Sequence, residues 1–123
     1  MTNPVKLFTE FVQNTEPRDI IITIPKSIKW SDYQKELQAA EAGEIMNFKV
    51  NNFPKTKVGN KCYVLHDGSI KGYMVISGLS EKDFTCTTTG KEWVGKFIER
   101  TGKFYPITPV PMKGFQGFRY YQG

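Results

Sequence analysis

Apolar and polar positions change period several times along the chain, and each change marks an element. Apolar residues at 5, 7, 8, 11 and 12 form a helical stripe, which Glu16-Pro17-Arg18-Asp19 ends. Ile20-Ile21-Ile22-Thr23-Ile24 is a β-branched run that predicts a buried strand, closed by Pro25-Lys26-Ser27. Ser31-Asp32-Tyr33-Gln34 has the capping-box pattern, so Ser31 is the expected N-cap of a helix running to Ala42. Tyr33, Leu37 and Ala40 fall on one face of that helix, and Gly43 stands where a left-handed terminator is expected.

Beyond Gly43 the period becomes two. Met46, Phe48 and Val50 share one face of a strand, and Asn51-Asn52-Phe53-Pro54 turns it. Cys62 to Leu65 and Ile70 to Ile76 flank Asp67-Gly68, a dipeptide suited to a positive-φ hairpin turn. Phe84 to Thr88 predicts another strand. Trp93 to Ile98 and Phe104-Tyr105 predict a pair around Thr101-Gly102, with Trp93 in the core. Pro106, Pro109 and Pro111 demand an extended connection, and residues 115–121 form a last aromatic strand. Six to seven short strands with one or two helices predict a mainly β α+β fold. It is a small barrel or curled sheet, in one domain over residues 1–123. The helix from Ser31 lies between the first two strands and is expected to plug one end of the sheet.

Composition narrows the chemistry. The 123 residues hold 2 cysteines and 1 histidine, too few for the usual four-ligand zinc site, so no metal or cofactor is expected. Cys62 and Cys86 read as buried free thiols, and His66, beside Asp67-Gly68, as a solvated loop residue. The chain shows neither a 20-residue apolar run nor a signal-type N-terminus, which reads as a cytoplasmic protein without a membrane span. Charge changes the picture most. The net +5 resides in two segments, residues 49–71 and 91–123, each at net +4. If they meet, they form one positive face that attracts polyanions; if they do not, they are scattered solubilising lysines.

The order of motifs resembles the PUA-like superfamily, in particular its ASCH branch. The similarity covers residues 19–79: a strand, a capped helix ending in Gly43, a short alternating strand, then Lys57-Val58-Gly59-Asn60 opening a hairpin that returns through Ile70-Lys71-Gly72. That branch commonly has an acid where this chain has Asn60. The resemblance implies a PUA-like pseudobarrel with a cleft beside the helix, where relatives bind RNA or an extruded or modified base. Some ASCH proteins hydrolyse acylated cytidine with a lysine just after the helix-ending glycine. Here Gly43 is followed by Glu44-Ile45-Met46, so that activity is not carried over.

The expected function is binding of single-stranded RNA or DNA, or of a flipped or modified base, in a basic cleft lined with aromatic rings. Lys26, Ser27 and Trp30 at the helix entry would seat a phosphate or base. Lys55, Lys57, Arg100 and Lys113 would track phosphates. Phe115, Gln116, Phe118, Arg119 and Tyr120 would wall the cleft and stack on bases. No catalytic residue is assigned. Two alternatives stand beside this reading: a small nucleoside or nucleotide hydrolase using the same cleft, and a basic accessory protein that covers an acidic protein partner. The expected state is a monomer or weak homodimer.

Overall fold

The computed structural model describes residues 16–85 and 90–122. In chain order they form β1 (Ile20–Ile24), α1 (Trp30–Glu41), β2 (Met46–Val50), β3 (Lys61–His66), β4 (Ser69–Thr85), β5 (Glu92–Pro111) and β6 (Phe118–Tyr120). The stripe at residues 5–12 and Cys86 lie outside the described residues, as do the side chains of Phe84 and Trp93. The strands form one curled sheet in the order β2-β5-β4-β3-β1-β6. Only β1 and β3 are parallel, and α1 with β2 lies on the connection between them.

Alternation along the strands gives the sheet two apolar faces. Ile20, Ile22 and Ile24 join Cys62, Val64, Met74, Ile76 and Ile98 under Tyr33, Leu37 and Ala40 of α1. Each fully buried aliphatic side chain there contributes about 1.5–3 kcal/mol. Ile21, Tyr63, Leu65 and Ile70 point the other way and are covered by Ile107, Met112 and Phe115. The triple-isoleucine run is apolar throughout because β1 is central and buried on both faces.

The helix departs from expectation at its start and matches it at its end. It begins at Trp30 with Lys29 as N-cap and no side-chain cap bond, so Ser31 lies inside the first turn. Its far end is a Schellman motif. Gly43 (φ +112°) donates its N–H to Ala40 O at 3.0 Å, and Glu44 donates to Ala39 O at 3.0 Å. Thr101 Oγ1, 2.8 Å from Glu44 O, ties this end to β5.

Two of the six strands are long. β4 and β5, of 17 and 20 residues, pair from Ser69↔Pro111 to Thr85↔Glu92. Thr101-Gly102 is therefore not a turn. Gly102 (φ +92°) sits where the β4–β5 register shifts, and the bulge bends a continuous strand. The Asp67-Gly68 turn forms as expected, with φ of +46° and +82°.

Candidate nucleic-acid interface

On the helix side, the loop after β1 turns at Pro25 (Ile28 N–H to Pro25 O, 3.0 Å) and delivers Trp30 to the sheet. His66 fixes that loop. It is buried rather than solvated, and its Nε2–H donates to Ile28 O at 2.7 Å. Trp30 packs between Tyr33 (5.6 Å), His66 (5.5 Å) and the edge of Phe104 (6.0 Å). Beside it opens a cleft of about 370 Å³ walled by Trp30 and Phe104. Gln34, Gln38, Glu41 and Lys71 bring two amides, an acid and a cation to its rim. This set offers one aromatic wall with amide, acid and cation groups around it, which suits a small aromatic group with hydrogen-bonding edges. Lys26 and Ser27 are exposed on the preceding loop and do not line the cleft.

At the opposite edge, β6 pairs antiparallel to β1, Ile20↔Tyr120 to Ile22↔Phe118. The basic loop after β2 closes on it. Lys55 N–H donates to Tyr120 Oη at 3.0 Å, and Arg18 N–H donates to Lys55 O at 2.7 Å. The Arg18 guanidinium lies 4.6 Å from the Tyr120 ring centre. Part of each basic segment thus meets at one edge. Phe118 and Tyr120 pack on the helix-side core, where Trp30 also packs. Arg119 faces the other side, in register with Ile21, its guanidinium 4.7 Å from the Phe115 ring. The single hollow expected between Trp30 and residues 113–120 is therefore divided by the sheet. Lys57, Lys113 and Gln116 are exposed.

Arg100 is not on a rim. It is 2% exposed on the inner side of β5, where Nη1 donates to Tyr33 Oη at 3.0 Å and Nε has no partner. Strand alternation aims it under the helix, a direction that composition does not reveal. Next to it burial pushes the Cys62 thiol up to about 11, against the pull of the guanidinium. Burial likewise raises the Tyr33 hydroxyl, again opposed by Arg100. Both groups are neutral at physiological pH.

The helix-free side holds residues that sequence reasoning did not assign. Tyr63, Tyr73 and Tyr105 stand in register on β3, β4 and β5, with ring centres 5.4 and 5.0 Å apart. Tyr121 stacks on Tyr63 at 3.9 Å. Lys61 lies 4.8 Å from the Tyr73 ring and Lys103 5.4 Å from Tyr105. Burial and Tyr121 push the Tyr63 hydroxyl up to about 12. The signal for this row is a tyrosine in each predicted strand, but only the register shows that the three align.

The crystal structure of a point mutant of ZmASCH from Zymomonas mobilis superposes with a TM-score of 0.55, covering 85% of this chain and 91% of that one at 12% identity. The fold is of the ASCH type. No protein-family model and no curated protein sequence matches the chain. At 12% identity the likeness to ZmASCH concerns the fold alone. Among the described residues no helix is long and apolar enough to cross a membrane.

Proposed function

We propose that this ASCH-type chain binds single-stranded nucleic acid and seats one unstacked base in the helix-side cleft. The meeting of the two basic segments at the β6 edge carries this reading. Lys55 is held through its backbone N–H against Tyr120 Oη, and the Arg18 guanidinium lies over the same ring. Cations interleaved with rings suit a strand whose phosphates need charge and whose bases need faces. Trp30 and Phe104 would form one apolar wall against the seated base, Gln34 and Gln38 would read its edge, and Lys71 would meet an adjoining phosphate.

The test is fluorescence anisotropy with labelled rU12 and dT12 at 50 and 200 mM salt. Three phosphate contacts, at Arg18, Lys55 and Lys71, predict a log–log salt slope of about −2 or steeper, or roughly twenty-fold weaker binding at the higher salt. Absence of salt-dependent binding below high micromolar concentration removes the reading.

A further inference from the structure

We infer that the helix-free face is a second contact surface, a platform on which the same single strand lies across the β-strands. The inference rests on the nucleic-acid reading above and adds a surface distinct from the cleft. In-register pairing runs Tyr105–Tyr73–Tyr63–Ile21–Arg119 across β5, β4, β3, β1 and β6. At about 4.8 Å between strands, this row is roughly 19 Å long.

The row is open at its two ends and buried in its middle. Tyr63, beneath Tyr121, is 7% exposed and Ile21 2%, so both belong to the core. Tyr105 is 38% exposed, and beside Tyr73 on β4 Val75 is also 38% exposed. A base therefore meets a ring at the Tyr73–Tyr105 end. Cations line the same face: Lys61, Lys103 and Arg119 are exposed, and none forms an ion pair among the described residues. Asp19, beside Lys61, already has its Oδ1 accepting from Asn60 Nδ2 (2.9 Å) and Lys61 N–H (2.8 Å). By contrast α1 carries Asp32, Glu36 and Glu41 against Lys35, and the outer half of the β4–β5 hairpin carries Glu81, Asp83 and Glu92 against Lys82 and Lys96. Charge complementarity therefore selects a polyanion for the helix-free face, and the exposed rings select one with bases.

The experiment compares the intact chain with Lys61→Gln/Lys103→Gln/Arg119→Gln, with Tyr105→Leu and with the edge variant Arg18→Gln/Lys55→Gln. The probes are labelled rU12 and dT12, and near-ultraviolet circular dichroism checks that each variant is folded. Loss of three phosphate contacts predicts a salt slope shallower by about 2 and affinity roughly fifty-fold weaker at 0.15 M salt. Tyr105→Leu predicts a loss of about fivefold or more with the salt slope unchanged, as loss of one stacked base requires. A triple variant that binds within threefold of the intact chain, while the edge variant is weakened, overturns the platform and leaves the nucleic-acid reading standing. An intact chain that binds neither probe overturns both.

Discussion

Arg100 gives the sharpest test of how this core is built. Its guanidinium is 2% exposed, has Tyr33 Oη as acceptor at 3.0 Å, and faces a Cys62 thiol that burial keeps protonated. Among the described residues it forms no ion pair with a carboxylate. A hydrogen bond to a charged group contributes about 1.5–3 kcal/mol, so Tyr33→Phe should cost about 2 kcal/mol. In a domain of this size that lowers Tm by roughly 6–10 °C. Arg100→Met removes the buried charge together with its desolvation penalty. It should fall within about 1 kcal/mol of the parent or above it. In the Arg100→Met background the Tyr33 hydroxyl has lost its donor, so Tyr33→Phe should cost less than about 0.5 kcal/mol. Urea unfolding of the four proteins measures the coupling, expected at about 2 kcal/mol. Equal costs of Tyr33→Phe in the two backgrounds would refute the claim that the hydroxyl serves the guanidinium.

Alkaline pH and crowding at one glycine test the core independently. Cys62 has its folded pKa raised to about 11 from an ordinary 9.0, so the folded state holds the proton more tightly. Stability is then full below pH 9 and falls as pH rises through 11, by about 2 kcal/mol at pH 11. Urea midpoints that stay flat from pH 8 to 11 would contradict this. Gly72 lies directly under β5. An added Cβ would approach Phe104 Cζ at 2.5 Å and Pro106 Cα at 2.9 Å, and would contact Tyr105 O. Two of those neighbours are backbone, so Gly72→Ala should destabilise by about 1–3 kcal/mol and push Phe104 from the cleft wall. A variant as stable as the parent would mean that β5 does not cross there so closely.

The two-residue turn shows how far the sequence carries the fold, and where it stops. Asp67-Gly68 sets His66 opposite Ser69 and Leu65 opposite Ile70, a register that the turn chemistry alone dictates. Continued unbroken, it would place Tyr63 opposite Gly72. A register shift between Val64 and Leu65 places Tyr63 opposite Tyr73 instead, and thereby creates the tyrosine row. Neither long strand is legible in the residues, for a related reason. Ser77-Gly78 and Thr101-Gly102 carry turn chemistry, but the long β4–β5 pairing absorbs both as irregularities. The apolar stripes on α1 and β2 mark their buried faces, because burial against a single neighbour layer leaves a direct periodic trace, and the unbroken run of β1 marks burial on both. Arg100 leaves none, since a long polar side chain in an alternating strand reads the same inward or outward.

The distribution of charge ties the two proposed surfaces together. The helix covers one face of the sheet and brings Asp32, Glu36 and Glu41 against Lys35 with it, and Lys71 is the cation at the cleft. On the other face Lys61 and Lys103 stand over rings, and the Asp19 carboxylate beside Lys61 is already bonded. A helix is about 10 Å across, and the Debye length at physiological salt is ~8 Å. Acids on the outer surface of α1 are therefore largely screened from the far side of the sheet. A strand arriving from solution would be steered first to the helix-free face and to the β6 edge. The cleft, with a single cation and an acid at its rim, would select by shape and hydrogen bonding rather than by charge. On this arrangement affinity resides in the sheet and discrimination beside the helix, which is why the salt slope should follow Lys61, Lys103 and Arg119, and base preference should follow Gln34 and Gln38.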